Sequence, residues 1–188
     1  MVWILIGVAL VVVLAAFVWL TYNRMVAKRL AAENSWSQID VSLRRRHDLI
    51  PALVESVKGY ASHERATFEN VAEARTTAIA AEGPASRAAA EGRLGTETER
   101  LLGVAEAYPE LEASANFSKL QDDLREAEDQ IAITRRVYND TVETYNTLIQ
   151  VFPAVIVARL FGFERREFFD APAGVEATPR VSLSPGPG

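Results

Sequence analysis

Residues 117–153 read FSKLQDDLREAEDQIAITRRVYNDTVETYNTLIQVFP. Apolar or weakly polar side chains recur here every three or four positions, which indicates one long helix with a continuous buried stripe. The pattern stops at Pro153, because proline lacks the amide proton that a further helical turn requires. Such a stripe packs against a partner helix that runs almost parallel to its own axis. The stripe consists of Phe117, Leu120, Leu124, Ala127, Ile131, Thr134, Tyr138, Thr141, Tyr145, Leu148 and Phe152.

Three further helices are predicted upstream. The first covers residues 36–60, where apolar residues keep helical spacing; Pro51 either kinks this helix or marks the first turn of a restarted one. The second begins near Ser62, a good N-terminal cap, and stops before Pro84, and the third covers residues 85–107.

These helices predict an all-α fold. Short connections place consecutive helices antiparallel, so we expect an antiparallel four-helix bundle over residues 22–170. The apolar segment AVIVARLFGF, residues 154–163, is expected to cap one end of the bundle. From Ala171 onward the chain lacks a core-forming pattern, so we predict a disordered tail over residues 171–188.

The N-terminal segment is apolar without interruption. Residues 2–20 carry no charged side chain and, as a helix, would cover roughly 28 Å, close to the hydrocarbon thickness of a bilayer. Trp3 and Trp19 stand at its two ends, where indole rings favour the membrane interface. We therefore predict a single transmembrane anchor over residues 1–21, in contact with the lipid bilayer. The alternative is a cleaved signal peptide, which the missing basic start and the length of the run disfavour.

The flanks of the anchor predict its orientation. Arg24, Lys28 and Arg29 follow the anchor, and no basic side chain precedes it. The positive-inside rule then places the N-terminus outside the cell membrane and the bundle in the cytoplasm. If the first bundle helix continues from the anchor, it would hold the bundle at a set distance from the bilayer.

The composition removes several classes of function. The formal net charge is −5, which argues against a nucleic-acid binder that relies on electrostatic attraction. The chain has no cysteine and two histidines, which excludes thiolate chemistry and leaves little material for a metal site. There is no Glu-x-x-His pair, no GxSxG elbow and no phosphate-binding glycine loop. We therefore expect no cofactor, no metal and no enzymatic activity.

Polar residues interrupt the apolar stripe of the first bundle helix. On a helical wheel, Asp40, Arg46 and His47 lie at or near the edge of the apolar arc, and Arg44 lies one turn from Asp40. The long helix offers two Tyr-Asn pairs, seven residues apart and on one face, whose phenol and amide groups can bond to arginine or aspartate. We interpret all eight as a structural polar layer that fixes helix register. They are Asp40, Arg44, Arg46, His47, Tyr138, Asn139, Tyr145 and Asn146.

A second interpretation stays open. The face around Asp40, Arg44 and His47, together with Tyr138 and Asn139, could bind a small ligand or carry out catalysis. An open pocket beside His47 would favour that function, whereas a filled core there would favour a structural role.

The chain resembles the LemA family of membrane-anchored bacterial proteins. The resemblance rests on residues 36–64 (WSQIDVSLRRRHDLIPALVESVKGYASHE), on VAEAYPELEASANFSKLQDDL, and on YNDTVETYNTLIQVFP followed by GFERREFF. It implies an N-terminal transmembrane helix that carries an antiparallel four-helix bundle, and some members take part in building magnetosome membranes. It implies no catalytic residues. Ser42 and Ala52 depart from the family pattern, which has side-chain amides at these two positions.

The function that follows from these observations is interaction rather than catalysis. We predict a single-pass membrane protein whose bundle serves as a scaffold for other proteins at the bacterial envelope. The partners are proteins that the sequence does not identify, and a homo-oligomer is possible.

Overall fold

The computed structural model describes residues 1–169, and within them all regular secondary structure is helical. The predicted all-α fold is therefore confirmed. The tail predicted over residues 171–188 lies outside the described residues, and the domain boundaries at residues 22 and 170 stay a prediction. The six helices are α1 (Val2–Lys58), α2 (Arg65–Ala80), α3 (Pro84–Ala105), α4 (Pro109–Glu112), α5 (Ala115–Leu148) and α6 (Ala154–Leu160).

Helix α1 is one unbroken helix of 57 residues that joins the apolar segment to the rest of the fold. Residues 2–17 are exposed, and the helix contains an apolar window long enough to cross a membrane. Pro51 lies inside α1, so the helix neither ends nor restarts there. Domain packing already begins at Met25, which is fully buried. The helical domain therefore starts directly where the apolar segment ends, and α1 runs through both without a break.

Helices α1 and α5 form the longest pairing in the fold, and they run antiparallel. Met25 packs near Tyr145 at one end of this pair, and Arg45 pairs with Glu126 towards the other. The predicted stripe of α5 is buried over most of its length. Its last predicted member, Phe152, is 81% exposed, because α5 ends at Leu148 and the chain turns away before Pro153.

Helices α2 and α3 form a second antiparallel pair. The turn between them contains Gly83 at φ 79°, a conformation that favours glycine. Helix α2 begins at Arg65, three residues after the predicted cap Ser62. Leu53, Val71 and Leu94 share one apolar core with Leu124, so residues of α1, α2, α3 and α5 meet there. The regular four-helix bundle stays a prediction in its detail, since α3 and α5 flank an open groove.

The chain after α5 returns to the α1–α5 pair. Helix α6 packs Ala154, Val157 and Ala158 against the end of the pair that lies nearest the apolar segment. Residues 162–169 then follow α5 without regular secondary structure. We call them the strap. The strap runs antiparallel to α5, because Glu164 contacts Tyr145 whereas Phe169 contacts Asn139.

Candidate functional site

A cluster of buried charged side chains joins α1 to α3. Arg46 and His47 are 3% and 5% exposed, and Glu91 of α3 is 5% exposed between them. Glu91 Oε1 lies 2.7 Å from His47 Nε2, and Arg46 Nη1 donates to Glu91 Oε2 at 3.3 Å. One carboxylate thus contacts two neighbouring residues of α1 and links α3 to α1 through a buried ion pair.

Sequence reasoning missed Glu91, although its position carried a signal. Glu91 lies three residues before Leu94 and seven before Thr98, and all three are buried. A glutamate on the buried stripe of an alanine-rich helix needs a charged partner, because an unpaired buried carboxylate is costly. Arg46 occupies the corresponding polar position in the stripe of α1, so the pair was open to prediction.

Arg46 has a second carboxylate partner. Its Nε lies 3.0 Å from Glu128 Oε1 of α5, but neither Nε nor Nη2 makes a hydrogen bond within the described residues. Burial raises the pKa of the Glu128 carboxyl; Arg46 opposes this shift, and the nearby carboxylates of Glu91 and Glu99 add to it. Arg46 therefore has a hydrogen bond to Glu91 and an ion-pair contact with Glu128 that lacks hydrogen-bond geometry.

The Arg46 end of the cluster opens into a groove between α3 and α5, with a volume of about 580 Å³. Gly95 lies beside the guanidinium, where a Cβ atom would come within 3.2 Å of Arg46 Nη2. His47 does not line the groove. The charged lining residues are Arg46, Glu91, Glu99, Arg125, Glu128, Asp129 and Arg135, and the apolar ones include Ala88, Leu102, Leu124, Ile131 and Phe169.

Asp40 and Arg44 take part in a separate ion-pair group. Asp40 binds Arg44 on its own helix, and its other oxygen accepts from Arg87 Nη1 of α3 at 2.6 Å. Arg44 is exposed. The predicted face of Asp40, Arg44 and His47 is thus a surface ion pair beside a buried histidine, and the groove lies on the Arg46 side instead.

The two Tyr-Asn pairs bind the strap. Asn146 Nδ2 donates to the carbonyl of Arg166 at 2.9 Å, and the amide of Arg166 donates back to Asn146 Oδ1 at 2.9 Å. Asn139 makes the same two-point contact with Phe169, at 3.2 and 2.9 Å. Main-chain N–H and C=O groups of an extended segment need hydrogen-bond partners, which a neighbouring strand usually provides. Here the side-chain amides of the two asparagines provide them.

The tyrosines complete this contact. Tyr138 and Tyr145 donate to the carbonyls of Glu167 and Glu164 at 2.8 and 2.9 Å. Burial raises the pKa of both phenols, so they stay protonated donors at neutral pH. For Tyr138, Tyr145 and Asn146, the hydrogen bonds in the described part of the chain go to main-chain groups, where the sequence had suggested arginine or aspartate side chains. The eight predicted residues therefore lie in three groups: Arg46 with His47, Asp40 with Arg44, and the two Tyr-Asn pairs on the strap.

An exposed apolar segment, continuous by one helix with an all-helical domain, defines a membrane-associated helical protein. The sequence profile of the LemA family matches residues 35–183. The chain belongs to the LemA family, which confirms the resemblance found in the sequence.

Curated relatives are named as magnetosome proteins. The chain is 29% identical over 196 residues to magnetosome proteins MamQ 1 and MamQ 2 of Paramagnetospirillum magneticum, and the match covers 90% of this chain and 72% of each relative. It is 27% identical over 180 residues to magnetosome protein MamQ of Magnetospirillum gryphiswaldense, with coverage of 81% and 66%. Together with the apolar segment of α1, these relatives support association with a membrane.

Proposed function

We propose that the protein is a membrane-anchored interaction module that presents its helical domain to other proteins of the bacterial envelope. In this proposal the domain performs no catalysis. It positions partners close to the bilayer, on the cytoplasmic side, because Arg24, Lys28 and Arg29 follow the apolar segment. The relatives named as magnetosome proteins are consistent with a protein that works at a membrane.

The continuity of α1 is the observation that carries this proposal. The same helix supplies the apolar segment and the longest wall of the domain, so no hinge separates anchor from domain. Buried contacts with α3 and α5 keep the outer surfaces in one geometry. In a domain built in this way, a partner bound on the surface is held at a fixed position relative to the membrane anchor.

Position-dependent crosslinking in intact cells tests the proposal. A photoreactive residue replaces Val41, Ile133 or Val137, three exposed apolar side chains on α1 and α5. The interaction module predicts that one protein is captured from some of these positions and not from others. Capture should weaken in a chain that begins at residue 22, with circular dichroism as the check on its folding. If no position captures a protein beyond background, the proposal is wrong.

A reporter fused to the C-terminus tests the side of the membrane. A reporter that is active only in the cytoplasm should be active, and one that needs an extracytoplasmic location should be silent. The reverse result would place the domain outside and would contradict the orientation.

A second candidate function is supported by the groove at Arg46. This buried guanidinium has two nitrogens without a hydrogen-bond acceptor in the described residues, and Arg135, further along the groove, makes no ion pair there. The rest of the lining combines apolar side chains with four carboxylates, Glu91, Glu99, Glu128 and Asp129. The groove suits a small carboxylate with an apolar body, whose oxygens take the place of the Glu128 carboxylate.

Fluorine NMR on the full chain in nanodiscs tests the second candidate. The probes are 4-fluorophenylacetate and 4-fluorobenzylamine, which share an aromatic body and differ in charge. The carboxylate should bind more tightly than the amine, and Arg135→Gln should weaken its binding about tenfold, as expected for one lost charged contact. Arg136→Gln, an exposed neighbour outside the groove, is the matched control. Equal binding of both probes, or equal effects of both substitutions, would contradict a carboxylate site.

A further inference from the structure

Helix α6 exposes an apolar face. Ile156 and Leu160 lie one turn apart in α6 and are 58% and 71% exposed, and Phe152, in the turn just before the helix, is 81% exposed. Val151 and Phe161 extend the same surface at its two ends and are also exposed. A soluble surface rarely carries so many large apolar side chains together, and such a patch marks an interaction site.

The opposite face of α6 fixes the direction of this patch. Ala154, Val157 and Ala158 are buried against Met25 and Tyr145. Because α6 is held by its small residues, its large apolar residues point away from the domain core. The patch is therefore a fixed feature of the fold rather than a helix waiting to close on the domain.

The patch lies beside the point where α1 enters its apolar segment. The ring of Phe161 is 4.9 Å from the ring of Tyr22, centroid to centroid. Phe161 also lines a hollow with Ala15, Val18 and Trp19, which belong to the apolar segment. One end of α6 therefore stands at the depth of the last turns of that segment.

Basic side chains lie at the Val151 end of the patch and within α6. Arg24 and Lys28 of α1 line a shallow hollow together with Val151. Arg159 lies within α6 and is exposed. Large apolar residues bordered by arginine and lysine are the pattern of a helix that lies in the headgroup region of a bilayer.

We propose that residues 151–161 form a second membrane attachment, in which the Phe161 end of α6 enters the apolar region beside the transmembrane part of α1 and the Val151 end stays at the headgroup level near Arg24 and Lys28. The occupant of the patch is lipid, because the patch continues the apolar surface of residues 2–20. With two attachments the domain is held in tilt and in rotation about α1, and not only in distance from the membrane. This inference goes beyond the proposed interaction role and does not depend on any protein partner.

Site-directed fluorescence tests the attachment on the full chain in lipid vesicles. Because the protein has no cysteine, a single cysteine can be placed at Ile156 or Leu160 and labelled with an environment-sensitive dye. Val41→Cys and Ile133→Cys are matched controls, since these residues are exposed and apolar but lie away from α6. Dye at 156 and 160 should emit at shorter wavelength, and lipids that carry a nitroxide should quench it at least threefold more than dye at the controls.

Cysteine reactivity provides a measurement without an attached dye. A water-soluble maleimide should modify Ile156→Cys and Leu160→Cys at least fivefold more slowly than Val41→Cys in vesicles. These substitutions fall on exposed positions, so the fold is retained. Quenching and reactivity that match the controls would show that water, and not lipid, covers the patch, and the attachment would be wrong.

Discussion

Arg75 of α2 donates a hydrogen bond from its Nε to the main-chain carbonyl of His47 at 2.8 Å. In a regular helix the amide of residue 51 would donate to this carbonyl, but residue 51 is proline and has no amide proton. The side chain of Arg75 therefore supplies the donor that Pro51 removes. This contact explains how α1 continues through a proline, and it joins α2 to α1 beside the buried charge cluster.

The loss of stability caused by removing the Arg75 side chain should depend on the presence of Pro51. Arg75→Met should lower the free energy of unfolding by about 1–3 kcal/mol, because the carbonyl of His47 loses its charged donor. In a Pro51→Ala background the helix provides its own donor, so the same substitution should cost clearly less. Denaturant unfolding of the four proteins measures the difference. Equal costs in both backgrounds would mean that Arg75 does not replace the missing amide.

Glu91 is expected to be the most sensitive charged residue of α3. Glu91→Ala leaves Arg46 and His47 buried without their shared carboxylate, and removal of one partner from a buried pair costs about 3–5 kcal/mol. Glu106→Ala, at an exposed position just past the same helix, should change stability by less than about 0.5 kcal/mol. Thermal unfolding in detergent compares the two variants. A small effect at Glu91 would contradict the structural role of the cluster.

Glu128 should destabilise the fold at neutral pH. Its pKa is raised above the usual value of 4.5, mainly by burial, so the folded state favours the protonated carboxyl. The contribution of Glu128 to stability is therefore present below pH 4.5 and is lost as the pH rises through the raised pKa. Glu128→Gln should increase the melting temperature only slightly at pH 7, because the Glu128 side chain is 46% exposed and solvent screens its charge. The gain should shrink towards pH 4. A gain that does not change with pH would contradict the shift.

Asn146 should protect one main-chain amide of the strap, that of Arg166, against hydrogen exchange. Asn146→Ala removes both hydrogen bonds to the main chain of Arg166, so the Arg166 amide should exchange with solvent at least tenfold faster. The amide of Phe169 is held by Asn139 and serves as the internal control. Hydrogen exchange followed by NMR resolves the two sites. Equal acceleration at both amides would show that the strap is released as a whole rather than held at separate points.

Sequence periodicity predicted which residues are buried along a single helix. The stripe of α5 from Phe117 to Tyr145 is an example, because residues buried on one side of a helix must recur every three or four positions. The partners of Asn139 and Asn146 could not be read in this way. The two asparagines bind main-chain groups of the strap. Every residue has these groups, so no pattern of side chains in the sequence predicts the contact.

Two other features could be understood only from the three-dimensional structure. The unbroken course of α1 through Pro51 depends on Arg75, which comes from another helix and lies 28 positions from His47, the residue whose carbonyl it binds. The exposure of Phe152 depends on where α5 stops, and helix ends are less well defined by periodicity than helix interiors. Glu91, in contrast, could have been found from its place in the stripe of α3.

The central claim is that one rigid helix carries the domain from the bilayer. Spin labels on Leu20→Cys and Val41→Cys, both exposed on α1, measure it in the full chain in nanodiscs by pulsed electron resonance. An unbroken helix separates these positions by about 32 Å at 1.5 Å per residue. The account predicts a single narrow distance distribution near that value. A broad distribution, or one centred well below it, would show a hinge between anchor and domain and would contradict the account.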